Sequence, residues 1–209
     1  MFTGIVSAIG RIVEACPLGK GPGYGSAVSV AAPPGYLDDV AIGDSIALAG
    51  ACMTVLMIDA AQHRFRAEVS AESLARTAGL GEPGDVNLEK SLRADSRLDG
   101  HLVSGHVDAI GRVSGFGRVG ESWRLEVAAP AALARFLARK GSVAVDGVSL
   151  TVNGVVDDAE RGCRFDVNLI AHTASQTTLG ALAVGRPVNL EVDPIARYVE
   201  RMLALMPRR

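Results

Sequence analysis

A histidine, a thiol and a hydroxyl are the groups in this chain best suited to move protons or attack an electrophilic carbon. His106 lies in "SGHVD", Cys52 in "GACMTV" and Ser149 in "GVSLTV". An imidazole works as general acid or base near neutral pH. A thiol becomes a nucleophile when its pKa is lowered, and a serine can supply or orient a hydroxyl or water. Each has a plain alternative: a histidine merely satisfied by hydrogen bonds, or an isolated cysteine acting as a small buried apolar group. His101 stands five residues before His106, so on a strand the two point to opposite faces, which argues against a shared metal. Cys16, Cys52 and Cys163 are far apart and form no C-x-x-C, so neither a zinc site nor a disulfide framework is expected.

The elements that must carry these residues occur twice. "GIVSAIGRIV" (4–13) aligns with "GHVDAIGRVS" (105–114), and "DSIALAGACMTV" (44–55) with "GSVAVDGVSLTV" (141–152). Phe65 matches Phe165, Thr77 matches Thr177, and "VNLE" stands at 86–89 and again at 188–191, all at an offset of 97 to 102 residues. Ordered blocks at one offset mean two copies of one fold, joined near 92–99. Cys52 then faces Ser149, His106 faces Ile5, Phe2 faces Val103 and Ala49 faces Asp146.

Each copy reads as β. The paired blocks are rich in small and β-branched residues with a glycine in mid-run, which predicts two strands with a turn or bulge between them. "RLEVAA" (124–129) and "RFDVNLI" (164–170) alternate polar and apolar, the half-buried strand pattern. The fold expected is mainly β: a small closed barrel or sandwich in each copy. Segment 130–141 predicts a short helix between Pro130 and Gly141, and 71–79 a helical turn. The tail, "DPIARYVERMLALMPRR", has no counterpart. Asp193 can cap a helix and Pro194 suits its first turn. Ile195, Tyr198, Val199, Met202, Leu203 and Met206 then share one face, buried either on the same chain or between subunits. The expected division is 1–97, 98–192 and 193–209.

A net charge of −2 in 209 residues, with 48% hydrophobic and 21% charged content, gives no electrostatic reason to expect nucleic acid or an anionic membrane. No apolar run is long enough to span a bilayer. The N-terminus has no cationic start or unbroken apolar stretch, so no signal peptide is read there. A reducing, cytoplasmic setting is expected.

The opening "MFTGIV", the "SGHVD" block, the paired "G-x-[CS]-[LM]-T-V" segments, the "KG…DGVSLTV" run and the tail resemble the lumazine-dismutating riboflavin synthase family (alpha chain) over essentially the whole chain. The resemblance implies two similar six-stranded antiparallel β-barrels plus a C-terminal α-helix that forms a homotrimer. It implies a transferase reaction between two molecules of 6,7-dimethyl-8-ribityllumazine at a subunit interface. One gives up four carbons to the other, yielding riboflavin and 5-amino-6-(D-ribitylamino)uracil, with no metal or redox cofactor. Holding two reactants in one orientation can be worth roughly 7–11 kcal/mol. Association with lumazine synthase is left open.

The resemblance also places site residues. His106, Cys52 and Ser149 become candidates for the chemistry, with Phe2 covering the bound rings. Met53, Thr54, Leu150 and Thr151 stand beside the ring. Gly4, Ile5 and Val6, with Gly105, His106 and Val107, would present backbone groups to a flat heterocycle. Glu68, Val69, Ser70, Ala71, Glu72 and Ser73, with Ile170, Ala171, His172, Thr173, Ala174 and Ser175, correspond to segments gripping the ribityl chain. Ser45, Lys140, Asp146 and Asp193 are lesser candidates. Departures from the family pattern are Ala49 where Asn is usual, Met53 for Leu, and "AHT" for "PET" at 171–173. The competing reading is a non-catalytic lumazine- or flavin-binding protein of the same ancestry, which would be expected to lose its second site. A reductase-type flavin barrel fits poorly, since no nicotinamide-binding βαβ unit follows.

Overall fold

A computed structural model describes residues 1–21, 23–158 and 162–206. Residues 207–209 of the predicted tail segment lie outside it. The N-terminal half contains β1 (Ala8–Pro17), β2 (Ser26–Ala31), β3 (Ser45–Leu48), β4 (Ala51–Thr54), β5 (Met57–Asp59), β6 (Arg64–Val69), α1 (Ala71–Arg76) and β7 (Gly84–Lys90). The C-terminal half contains β8 (Ala109–Val119), β9 (Ser122–Ala129), β10 (Ser142–Val145), β11 (Val148–Asp158), β12 (Gly162–Leu169), α2 (Ala171–Gln176) and β13 (Pro187–Val192), and leads into α3 (Pro194–Ala204). No helix among the described residues is long and apolar enough to cross a membrane.

The second half closes as a six-stranded barrel in the order β10-β11-β12-β9-β8-β13. The first half repeats that order as a curled sheet, β4-β3-β7-β1-β2-β6-β5, without full closure. The difference from two equal barrels lies in one strand. β11 runs unbroken past a register irregularity between Val152 and Gly154, where glycine allows a bulge to turn the corner. The matching residues are Val55 and Met57, and the strand is interrupted there. Val55 N–H bonds Asp44 O and Leu56 N–H bonds Arg66 O, each at 2.8 Å, which brings the sheet's ends together.

Each half fills its own core. Ile12, Val28, Ile46, Phe65 and Leu88 anchor the first; Val113, Leu125, Val143, Phe165 and Leu190 anchor the second. A small third cluster joins the halves: Phe2, Ala47, Val103 and Ala144, with Cys52 packed beside them. Of the turn or bulge expected at each mid-run glycine, the structure has a hairpin turn. Ala49–Gly50 has φ values of 44° and 87°, and Asp146–Gly147 has 46° and 79°, the left-handed pair of a type I′ turn. The two turns abut across the interface between the halves, since a Cβ on Gly147 would stand 2.7 Å from Gly50 N.

The helices are shorter than the sequence suggests. Segment 130–141 forms a 3-10 helix over Ala131–Phe136. Gly141 N–H is drawn to Ala138 O and Lys140 N–H to Val152 O, which leaves too little chain for an α-helix. α3 starts as predicted: Asp193 Oδ1 accepts from Ile195 N–H at 2.9 Å and Pro194 opens the helix. Its apolar stripe stays uncovered by this chain, with Tyr198 74% and Met202 62% exposed. The opposite side is fastened by ion pairs of Arg197 with Asp108 and Glu200 with Arg135.

Candidate active site

The candidate residues of the two ring patches gather on and beneath two straps, residues 2–7 and 103–108, which open the two copies. Each strap is held by the last glutamate of its own copy's "VNLE". Glu89 accepts from Thr3 N–H and Thr3 Oγ1, both at 2.7 Å, and from Gly4 N–H at 3.0 Å. Glu191 accepts from Ser104 N–H and Oγ, both at 2.6 Å, and from Gly105 and His106 N–H, both at 3.0 Å. Burial pushes both carboxyls above the usual carboxylate range, against the pull of these donors.

Held this way, each strap crosses to the other half. Gly4 O accepts from Ser149 N–H and Gly105 O from Cys52 N–H, both at 2.8 Å. Val6 packs on the second core and Val107 on the first. Gly4 and Gly105 have φ of 75° and 83°, and a Cβ on either would meet the Cβ of Ser149 or Cys52 at 2.6 Å. Only glycine meets both demands.

The first cluster therefore joins β4 to the second strap. Along β4, Ala51 and Met53 face the core while Cys52 and Thr54 face outward. Thr54 pairs with Ser45 on β3. Cys52 is half-buried beneath Gly105, and the His106 side chain, next on the strap, is exposed. The outward residue of β6 at this end is Glu68. Beyond it, the Ser70 hydroxyl caps α1 by accepting from Ser73 N–H at 3.0 Å. Glu72 is exposed, Ser73 half-buried.

The second cluster is its counterpart on β11. Ser149 and Thr151 face outward, Leu150 inward. Ile5 is exposed on the crossing strap. Ile170 leads into α2 with no side-chain cap, and Ala171, His172 and Ser175 are exposed while Thr173 and Ala174 are half-buried. Lys140 has a φ of 66° and its Nζ reaches Asn153 Oδ1 at 3.5 Å. A histidine not assigned to the site by its spacing enters here: His101 Nδ1 lies 2.6 Å from Ser149 Oγ. Burial lowers the His101 pKa, opposed by the nearby charge of Asp193. Its Nε2 is buried without a hydrogen-bond partner.

Four expected contacts sit elsewhere. Met53, Val69 and Leu150 bury their side chains in the cores, so only their backbones can meet a ligand. Phe2 is fully buried between the halves; it backs Cys52 and Gly105 instead of covering an open face. His101, Glu89 and Glu191 are the residues that sequence reasoning passes over. The duplicated "VNLE" is a signal for the glutamates, and also for Asn87 and Asn189, which cross-link the halves by bonds to Asp146 O and Ala49 O. Among the described residues no group of three or more His, Cys, Asp or Glu is placed to hold a metal ion.

A doubled small-barrel protein whose opening straps each complete a polar patch on the other copy defines the class. The model of the lumazine binding domain matches residues 3–91 and again 104–193. The chain belongs to the lumazine-binding domain family, alongside the riboflavin synthases. It is 44% identical over 208 residues to riboflavin synthase of Mycobacterium tuberculosis (strain ATCC 25618 / H37Rv), covering 97% of this chain and 98% of that one. Riboflavin synthase of Photobacterium phosphoreum is 42% identical over 207 residues, covering 97% of this chain and 89% of that one. Among solved structures, LumP complexed with riboflavin superposes with a TM-score of 0.79 at 21% identity, covering 92% of this chain and 99% of that one. LumP complexed with 6,7-dimethyl-8-(1'-D-ribityl) lumazine gives 0.77 with the same coverage. These two likenesses establish the fold.

Proposed function

We propose that this chain is a riboflavin synthase, catalysing four-carbon transfer between two molecules of 6,7-dimethyl-8-ribityllumazine to give riboflavin and 5-amino-6-(D-ribitylamino)uracil. The observation that carries the reading is that both polar patches are present and differ in their reactive groups. One offers Cys52 and His106, the other Ser149 and His101. A protein that only stored a ligand would need neither difference. Thr54 and Thr151 are suited to hydrogen-bond the pyrimidine edge, and the segments 68–73 and 170–175 to hold the ribityl chains.

In this reading His106 exchanges a proton with the acidic 7-methyl group of one lumazine. His101, its pKa lowered by burial, accepts the Ser149 hydroxyl proton and so activates that oxygen, or a water it orients, toward the ring of the other. Both patches face outward on one chain, so two ligands meet only when another subunit approaches. The uncovered stripe of α3 supports a homotrimer joined through that helix. The three free cysteines suit a reducing compartment, and we place the protein in the cytoplasm. Association with lumazine synthase is an open extension of the same reading.

The test is an absorbance time course of purified protein with the lumazine and no added metal or nucleotide. Riboflavin should accumulate. Lumazine that binds and is recovered unchanged would replace the enzyme reading with that of a binding protein.

A further inference from the structure

The two straps are alike in their glutamate anchor and unlike at their far ends. The first ends at Ser7, whose hydroxyl donates to Leu88 O at 3.2 Å. The second ends at Asp108. Its backbone N–H donates to Leu190 O at 2.8 Å, and its carboxylate accepts from Val192 N–H at 2.9 Å. The same carboxylate is gripped by the Arg197 guanidinium of α3, with Nη1 to Oδ1 at 2.5 Å and Nη2 to Oδ2 at 2.7 Å. Among the described residues, only the strap bearing a histidine is tied by its end residue to the terminal helix.

We infer that Asp108 and Arg197 are positioning residues for His106, so that seating α3 and placing the imidazole are one event. This rests on the proposed function for its kinetic readout but not for its geometry. His106 is exposed, so no packing fixes its ring from outside. Its place is set by the strap backbone, pinned at His106 N–H by Glu191 and two residues later by Asp108. A forked, charge-assisted contact restricts both distance and orientation, and the Asp108 side chain is only 13% exposed. Arg197 lies on the side of α3 that faces this chain, while the apolar stripe faces away. A subunit pressing on the stripe therefore pushes the helix, and through Arg197 the strap, into place. Movement of the helix outward would release Asp108 and let His106 drift.

The experiment compares wild type with Arg197→Met, Asp108→Asn, the double variant and Arg197→Lys. Steady-state kinetics are measured with the lumazine, and mass by light scattering at the assay concentration. Arg197→Met and Asp108→Asn should assemble like wild type with nearly unchanged KM and about tenfold lower kcat, since sub-ångström to ångström misplacement commonly costs this much or more. The double variant should be no worse than either single, because both remove one link, and Arg197→Lys should recover part of the loss. Unchanged kcat in both single variants, losses that multiply in the double, or a loss cured by raising protein concentration would overturn the inference. Failure of wild type to turn over would instead reject the proposed function. The inference is then read from the ring resonances of the four histidines: in Arg197→Met the His106 signals should shift or broaden and those of His63 should not. Unmoved His106 signals would refute it.

Discussion

His101 Nδ1 stands 2.6 Å from Ser149 Oγ, at the point where the first strap crosses the second half. The strap supports both partners. His101 N–H donates to Thr3 O at 3.1 Å and Ser149 N–H to Gly4 O at 2.8 Å. If this pair activates an oxygen, Ser149→Ala and His101→Gln should each lower kcat on the order of a hundredfold. The double variant should be little worse than the singles, as expected for groups acting as a unit. Steady-state kinetics on the set decide it.

His101 also predicts an acid limit. Its folded pKa is lowered below 6.5 by burial, so the unfolded chain takes up a proton before the folded chain does. Stability from this residue is present above the unfolded pKa and lost as pH falls through it towards the folded value. Thermal melts should show the wild type losing more stability than His101→Gln between pH 7 and pH 5. Parallel curves would contradict the assignment.

At the other patch, His106→Ala and Cys52→Ala should each reduce kcat far more than lumazine affinity measured by fluorescence titration. Two variants with near-normal turnover would move the chemistry elsewhere.

The paired turns make a stability prediction that is independent of function. Ala49 occupies a left-handed φ of 44°, which costs an alanine roughly 1–2 kcal/mol and suits asparagine. Ala49→Asn should therefore raise Tm. Asp146 keeps some open surface, but water is largely excluded from its carboxyl, which is pushed from 3.8 up to about 7. A raised carboxylate pKa means the folded state holds its proton longer, so stability falls as pH rises from about 4 to 7. Asp146→Asn should melt above wild type at pH 8, and the gap should close by pH 4.

Much of the architecture is legible in the sequence because its signals are local. The glycine in mid-run places both hairpin turns, alternation places β9 and β12, and the cap places α3. The duplication reveals matched pairs such as Phe65 and Phe165. The illegible part depends on contacts distant in sequence. Nothing in "SGHVD" says that Gly105 reports to Cys52 across the molecule. By spacing alone His101 falls on the wrong face of a strand shared with His106. The strap turns at Gly105; His101 reaches Ser149 of the second half, while His106 stands exposed next to the crossing of Gly105 to Cys52. Phe2, beside a terminus, reads as free to cover a ligand, but its pairing with Val103 encloses it. The break at Val55 and Leu56, absent from β11, falls where Met57 stands in the first copy in place of Gly154.

The shared-site idea has its own check. If subunits join through α3 as proposed, deleting residues 194–209 should leave a monomer and abolish turnover together, as measured by light scattering and assay of the same sample. A fully active monomer would mean that one chain suffices.

The most direct measurement is the mass balance of a single reaction, with lumazine, riboflavin and the pyrimidinedione quantified by chromatography as purified protein acts. The account predicts two lumazines consumed for each riboflavin and each pyrimidinedione released. Riboflavin formed without an equal yield of pyrimidinedione, or lumazine returned intact, would contradict it.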